Sequence, residues 1–407
     1  MYSKKLKIVF LTADCSEQGT YLRFHNIARG LVELGHVVSI FCVDFTDNAQ
    51  SRTETRDDVL YSILKCSKGK SVFGSINHPI TSLRRVFDNF PACDIVHVFQ
   101  PFLSVYLPWK FNLKKKATIS FFDWDDLWVD DLRDREKRNF QGKWDYKLKG
   151  LFEKKIPATN HNMTVCSNFL KRLAIERGAS QVEVVPNGCW EYEVPGKLLS
   201  RQKLGLREDA AYMGFMGRTG FELHWCFDAL EECIQLGIPV RFALCGPKKD
   251  VLEGIPPRVL ESIDYLGNLT PMETRYFAAA MDLGLLPLMK TEFNESRFLI
   301  KFAEYMVVGL SVLCSEVGEM NGYGKNFPWV IKAGTTQPEW TRAFVQAAKM
   351  VMAKQLAKVD RDIVLSILSW KNISKQMEQL YLQKLSEKIN DRAKTLDTSI
   401  SSLAKSS

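Results

Sequence analysis

The chain has 407 residues, 46% of them apolar and 25% charged, with a formal net charge of +8. This length exceeds one ordinary domain, and the composition is globular, which excludes disordered and fibrous classes. The modest positive charge suits an anionic substrate or an acidic membrane face. With no zinc finger, aromatic–basic RNA motif or basic recognition helix beside it, nucleic acid is excluded as a partner.

Residues 7–11 (KIVFL) read as a buried strand; the run is too short for a signal-peptide core and has no small-residue cleavage site. A loop containing Gly19 follows, then a helix from about Tyr21 to Leu34 with Phe24, Ile27, Leu31 and Leu34 on one face. Gly35 closes it and residues 37–43 form the next strand. Further strands are expected at 59–64, 94–99, 117–122, 162–166 and 182–185. Alternation of buried apolar runs with amphipathic helices means a parallel sheet with right-handed crossovers. After a linker near 195–208, a second series of strands falls at 211–216, 240–245, 262–265, 283–287, 311–314 and 329–331. The end of the chain reads as a helix over 369–388 and then a polar, disordered tail over 389–407. The expected fold class is therefore α/β, with two Rossmann-like, doubly wound domains at 1–195 and 209–365.

No stretch reaches the ~18 consecutive apolar residues of a membrane span. The ten cysteines are scattered singly, with no C-x-x-C pair and no histidine at ligand spacing, and read as buried free thiols of a reducing compartment. The expectation is a cytoplasmic protein. Basic and aromatic residues concentrated over 109–116 (WKFNLKKK) and 133–155 leave peripheral contact with the cytoplasmic face of a membrane open, against a plain solvated face. The sequons at Asn162, Asn268 and Asn372 read as chance matches.

Neither half carries G-x-G-x-x-G after its first strand. Gly214 and Gly217 lack the third glycine, which argues against a dehydrogenase. There is also no P-loop, nucleophile elbow or zinc-ligand cluster. The segment 293–309 (FNESRFLIKFAEYMVVG) stands out. A polar loop runs into a helix whose first turn holds Leu299, Ile300 and Lys301. Its N–H groups and dipole form a cradle for pyrophosphate, and Lys301 adds a full charge. Glu304 lies on the same face and could take hydrogen bonds from a ribose diol. An i,i+3 surface ion pair is the alternative. Among the histidines, His36 follows a turn, His97 sits in a buried strand, and His224 is a minor contributor near the presumed phosphate site.

The order of signals resembles the large retaining GT-B glycosyltransferase family that includes bacterial mannosyl- and glucosyltransferases of lipid and polysaccharide assembly (group 1). The resemblance rests on GTYLR at 19–23, ARGL at 28–31, GHV at 35–37, DIVHV at 94–98, VCSNFL at 165–170 and VVPNG at 184–188. In the second half it rests on GFMGR at 214–218, LCGP at 244–247, YLG at 265–267 and LP at 286–287. It implies two domains facing a cleft, an N-terminal acceptor domain, a C-terminal donor domain and a last helix returning to the first domain.

The resemblance also implies roles. Arg218, beside Gly217, would pair with the donor pyrophosphate. Glu304 matches the second glutamate of an E-x7-E signature that holds the ribose, and Lys301 a lysine that often precedes it. Gly19 would let backbone N–H groups approach phosphate or acceptor, and 265–269, with Gly267 and Leu269, would border the base. Three positions depart from the pattern. Ser296 stands where the first glutamate should be, with Glu295 one residue early. Leu223 replaces a lysine usually found shortly after Arg218. The acidic stretch 122–128 (FDWDDLW) lies where a histidine is common, so Asp123 or Asp125 would hold donor sugar or acceptor hydroxyl.

Asp123 and Asp125 also spell a D-x-D metal motif, and helix capping is a third reading of them. The implied catalytic set is Asp123, Asp125, Arg218 and Lys301. The implied donor set is Gly19, Gly217, Arg218, Gly267, Leu269, Ser296, Leu299, Ile300, Lys301 and Glu304, with no metal and no cofactor. The implied reaction is transfer of a sugar from a nucleotide-sugar, bound as substrate, to a glycan, lipid-linked or small-molecule hydroxyl with retention. A nucleotide-sugar epimerase and a non-catalytic partner of another transferase are the rivals.

Overall fold

The computed structural model describes residues 5–17, 19–46, 49–67, 76–129, 140–159, 162–217 and 221–403. The chain divides into two compact units. The first comprises Met1–Cys166, Leu170–Val185 and Trp370–Ser407, and the second Ser167–Phe169 and Pro186–Ser369.

The first unit is built on β1 (Lys7–Asp14), β2 (Val37–Asp44), β3 (Arg52–Arg56), β4 (Val59–Lys65), β5 (Cys93–Phe99), β6 (Ala117–Trp124), β7 (Asn162–Val165) and β8 (Gln181–Val184). They form one sheet in the order β3-β4-β2-β1-β5-β6-β7-β8. All neighbours are parallel except β3, which runs antiparallel to β4. Phe10, Ile40, Ile95 and Val98 are fully buried within it, as strands covered on both faces require. The strand β3 was not expected. Its sequence, RTETR, has no apolar residue, because it lines an edge where charge discourages further pairing. Asp57 and Asp58, both at positive φ (46° and 60°), turn the hairpin into β4. The helices of this part are α1 (Thr20–Glu33), α2 (Pro79–Val86), α3 (Leu103–Pro108), α4 (Lys114–Lys116), α5 (Phe140–Thr159) and α6 (Asn168–Glu176).

The second unit holds β9 (Ala211–Met216), β10 (Val240–Cys245), β11 (Ile263–Tyr265), β12 (Leu283–Leu286), β13 (Val312–Ser315) and β14 (Val330–Ala333). Their order is β11-β10-β9-β12-β13-β14, and every pair is parallel. Counted from its own first strand, this is the Rossmann order 3-2-1-4-5-6, and the first unit repeats it once the β3 hairpin arm is set aside, with β8 added as a seventh strand at the far edge. The two doubly wound sheets expected from the sequence are present. The helices are α7 (Lys197–Leu204), α8 (Leu223–Gln235), α9 (Pro257–Leu260), α10 (Pro271–Ala280), α11 (Glu292–Ser296), α12 (Ile300–Val307), α13 (Gly318–Asn326), α14 (Gln337–Met352) and α15 (Arg361–Leu368).

The expected linker at 195–208 is corrected. The division falls after Val185, and α7 is an integral helix of the second unit. Arg201 fixes it there, donating to the Ala280 carbonyl (3.0 Å) and to Asp282 (2.8 Å) and lying over the Tyr212 ring.

The last helix, α16 (Trp370–Leu403), belongs to the first unit. Trp370, Ile373, Met377, Tyr381 and Leu385, spaced three and four apart, are all buried. Each such side chain contributes about 1.5–3 kcal/mol by leaving water. The approach to α1 is close: a Cβ on Gly30 would lie 2.1 Å from Ser374 Oγ. Tyr381 Oη also meets His97 Nδ1 at 2.6 Å. The helix outruns the expected end at 388, so the expected disordered tail is corrected over 389–403. Propagating a helix that is already nucleated and docked costs far less than starting one, so α16 runs on through this mostly polar stretch. Among the described residues no helix is long and apolar enough to cross a membrane.

Candidate functional site

In an open α/β sheet, ligands bind beyond the carboxyl ends of the strands, where the strand order reverses. In the second unit those ends carry three glycines. Gly217 follows β9 and donates its N–H to the Cys245 carbonyl (3.1 Å), and Gly246 follows β10 and donates to the Gly267 carbonyl (2.7 Å). Gly246 has φ +99°, and a Cβ there would stand 2.2 Å from the Gly217 oxygen. The backbones therefore meet directly, and no side chain blocks the strand ends. A cavity of about 1080 Å³ opens beside them, with Phe221, Leu223 and Phe227 on its apolar side and Lys248, Asp250 and Asn268 among its polar groups. Leu269 is half-buried just after Asn268.

The helix α12 is pinned at the same end of the sheet. Tyr305 Oη accepts from the Met216 N–H (2.8 Å) and donates to the Gly214 carbonyl (3.3 Å), and its ring fills the space over Gly284. Leu299 is the N-cap and its side chain makes no capping bond to Ile300, Lys301 or Phe302. Lys301 Nζ meets Glu304 Oε2 at 2.9 Å, both about one-third exposed. The i,i+3 ion pair is thus real, yet it sits at the strand ends rather than on a remote face. Burial pushes the Cys245 thiol up to about 12, with Lys301 lowering it and Glu304 raising it across a short distance.

One expected contact comes out differently. Ser296 is fully buried; its hydroxyl donates to the Phe293 carbonyl (2.7 Å) and its carbonyl accepts from Ser167 Oγ (2.5 Å). It is a packing residue, and the expected donor contact through its side chain is corrected. Glu295 instead accepts from the Gly318 N–H at the start of α13 (3.0 Å). Arg218 lies outside the described residues. Leu223 opens α8, 7% exposed and uncharged, and His224 is exposed 3.9 Å from Glu222.

A cation that the sequence reading passed over stands in this region. The Arg297 guanidinium lies over the Phe293 ring (4.6 Å) and the Phe221 ring (5.5 Å) and donates to Asn294 Oδ1 (2.6 Å). The signal was an arginine four residues after a phenylalanine within the segment already singled out.

In the first unit, Gly19 is the N-cap of α1 at φ 59°, ψ −125°, a conformation that only glycine adopts without strain. Asp125 lies near Thr20, the first residue of α1, whose side chain draws its carboxyl down. Its Oδ1 is buried without a hydrogen-bond partner. Burial, then the charge of Asp123, raise its carboxyl to about 6 against the opposing pull of Arg23.

Asp123 has a different place. Arg23 donates Nε to its Oδ1 and Nη2 to its Oδ2, both at 2.8 Å, and Thr164 Oγ1 adds a bond of 2.5 Å. With both oxygens taken and 1% exposure, Asp123 is a buried structural anion, and its expected role toward sugar or acceptor is corrected. The D-x-D reading fails on the same ground, since a cation would have to displace the guanidinium. No group of three metal-ligating side chains occurs among the described residues. His97 is held between Tyr381 and Thr164, and burial pushes its imidazole down to about 3, so it stays neutral.

Residues 19–189 match the family described as Glycosyltransferase Family 4. Three solved structures share the whole architecture. Sucrose-phosphate synthase from Thermosynechococcus elongatus is 15% identical at TM-score 0.73, covering 94% of this chain and 100% of that one. The catalytic domain of starch synthase IV from Arabidopsis thaliana is 13% identical at TM-score 0.65, covering 94% and 100%. HepE from Anabaena, in complex with UDP-glucose, is 15% identical at TM-score 0.62, covering 94% and 100%.

The chain has the GT-B fold, and its residues 19–189 resemble Glycosyltransferase Family 4. No curated protein matches it significantly in sequence. The family match covers most of the first unit, leaving out β1 and α16, and ends at Cys189 in the second. The glycine-lined strand ends and the Lys301–Glu304 pair all lie beyond that match, in the second unit.

Proposed function

We propose that this chain is a glycosyltransferase that holds a nucleotide-sugar donor on its second unit and transfers the sugar, with retention, to a hydroxyl of a glycan or lipid-linked acceptor. The observation that carries this reading is the close approach of Gly217, Gly246 and Gly267 at the carboxyl ends of β9, β10 and β11, with α12, the helix of Lys301 and Glu304, tied to the end of β9 through Tyr305. A diphosphate laid against bare backbone meets the N-terminal dipole of α12 and the Lys301 ammonium, while Glu304 takes the ribose diol. The cavity beside Asn268 and Leu269 has room for the base. Retention proceeds with help from the donor's own phosphate oxygens rather than through a covalent intermediate.

Asp125, beside the N-terminus of α1, is the first-unit group positioned toward the acceptor. The HepE structure contains UDP-glucose, which makes UDP-sugars the first donors to try. A lipid-linked acceptor is supported by α2, which exposes Ile80, Leu83 and Phe87 (85% for Phe87) beside Arg84. Exposed Phe111 with Lys110 against its ring adds to this apolar, basic surface, which suits peripheral contact with anionic lipid.

The test is a thermal-shift screen of UDP-, GDP- and ADP-sugars, followed by product analysis with and without a hydroxyl acceptor. A ligand that binds only the folded state raises the melting temperature. Conversion of donor alone to its epimer would replace this reading with an epimerase. Binding with no turnover on any acceptor would leave a non-catalytic sugar-nucleotide binder.

A further inference from the structure

We propose that Arg297 supplies the diphosphate-binding cation that this chain lacks at Leu223; the inference rests on the nucleotide-sugar reading of the second unit. The need comes from charge. An esterified diphosphate brings about two negative charges, and the helix N-terminus offers only about half a positive one. Lys301 shares its charge between the diphosphate and Glu304, 2.9 Å away. One further cation beyond Arg218 is required near the strip 221–223, and Leu223 has none to give.

The geometry places Arg297 at that strip. The Glu222 N–H donates to the Pro287 carbonyl (3.1 Å), which lays Phe221–Leu223 against the end of β12. The chain then runs from β12 through α11 to Arg297, in extended conformation immediately before Leu299 and α12. Its guanidinium comes back over the Phe221 ring, two residues from Leu223 on the wall of the same cavity. Phe293 stacks on it as well, and Asn294 fixes one Nη, so the planar group is oriented before any ligand arrives. A pre-oriented guanidinium binds phosphate oxygens in a two-pronged geometry that an ammonium cannot reproduce. The departure at Leu223 and the arginine at 297 are then one substitution in two parts: a cation leaves the start of α8 and another enters from the loop before α12.

The experiment measures affinity for UDP, ADP and GDP by calorimetry in the full chain, with unliganded melting temperature beside it. Arg297→Gln keeps an amide donor for Asn294 while removing the charge. It should weaken the bound nucleoside diphosphate by at least about tenfold and leave affinity for the parent nucleoside unchanged. Arg297→Lys should lose less, because the charge remains. The deciding variant is Arg297→Gln combined with Leu223→Lys, which returns a cation to the start of α8, two residues from the Phe221 ring, and should recover most of the lost affinity.

Undiminished diphosphate binding by Arg297→Gln overturns the proposal. So does a loss shared equally by the nucleoside, or a loss that Leu223→Lys does not repair, since either marks a packing role. Failure of the unaltered protein to bind any of the three diphosphates would instead remove the donor-site reading itself, and the proposal with it.

Discussion

Arg23 closes on Asp123 through two parallel hydrogen bonds of 2.8 Å, and both side chains are 1% exposed. A third bond from Arg23, Nη1 to the Val185 carbonyl (2.8 Å), ties α1 to the last strand of the same unit. Removing one partner of a buried pair strands the other without solvent. Arg23→Ala should therefore cost about 3–5 kcal/mol of unfolding free energy. Arg23→Lys should also be costly, because an ammonium cannot make the two-pronged contact. Urea denaturation reads this directly, and an unshifted midpoint in Arg23→Ala would remove the pair from the stability of the first unit.

Asp125 gives a pH dependence of definite sign. Its carboxyl is raised to about 6 in the folded protein by burial and by Asp123, above its ordinary value of 3.8. A raised carboxyl stabilises the fold while protonated, below the unfolded value, and that stability is lost as pH rises through 6. Asp125→Asn should thus gain stability relative to the wild type as pH rises from about 4 to 6, then hold a constant advantage. Melting temperatures of the two proteins across that range test it; a difference independent of pH would mean that the carboxyl titrates normally.

Glu304→Ala should separate binding from folding. The pair with Lys301 is about one-third exposed, so its loss should cost no more than about 1 kcal/mol of stability. Two hydrogen bonds from a ribose diol to a carboxylate are worth roughly 2–4 kcal/mol of donor affinity. Lys301→Ala should impair donor use as well, through diphosphate charge left unpaired. Unchanged donor affinity in Glu304→Ala by calorimetry would take this residue out of the site.

Gly246 and Gly267 should respond unequally to alanine. At Gly246 the new methyl would meet the Gly217 carbonyl at 2.2 Å, backbone against backbone, in addition to a positive φ. Gly246→Ala should cost about 2–5 kcal/mol and disturb donor binding with it. At Gly267 the φ is +64° but the space is open, so only the left-handed penalty of about 1–2 kcal/mol applies. Equal losses in the two variants by chemical denaturation would contradict the close approach of the strands.

Turnover should persist in excess EDTA. The leaving diphosphate has the N-terminus of α12, Lys301 and nearby guanidinium charge to rest on, and Asp123 is already occupied by Arg23. Abolition of activity by EDTA with rescue by manganese would overturn the assignment of Lys301 and Glu304 to the donor site.

The two Rossmann-like sheets could be read from the sequence because buried parallel strands leave continuous apolar runs such as KIVFL and VVSIFCV. The hairpin strand β3 could not, since RTETR owes its pairing to β4 and to a turn of two aspartates, not to any apolar pattern. Lys301 and Glu304 were visible because both lie on one helix face within a few residues of a polar loop. The partnership of Arg23 with Asp123 spans 100 residues and leaves no local trace, so the aspartate read as a free acid. Arg297 was in plain view, but its place over Phe221 depends on how β12 delivers the loop after it.

The helix that begins at Trp370 gives synthesis of this protein an order. All of residues 186–369 emerge from the ribosome before the segment that covers α1 and satisfies His97 through Tyr381. The second unit can therefore close on its own while the first waits, its sheet formed but one flank bare. A transcript truncated just after Ser369 would yield a chain whose second unit is whole and whose first unit is unfinished. Such a chain would expose the apolar flank of α1 that Trp370, Ile373 and Met377 otherwise cover, a surface that chaperones and proteases recognise.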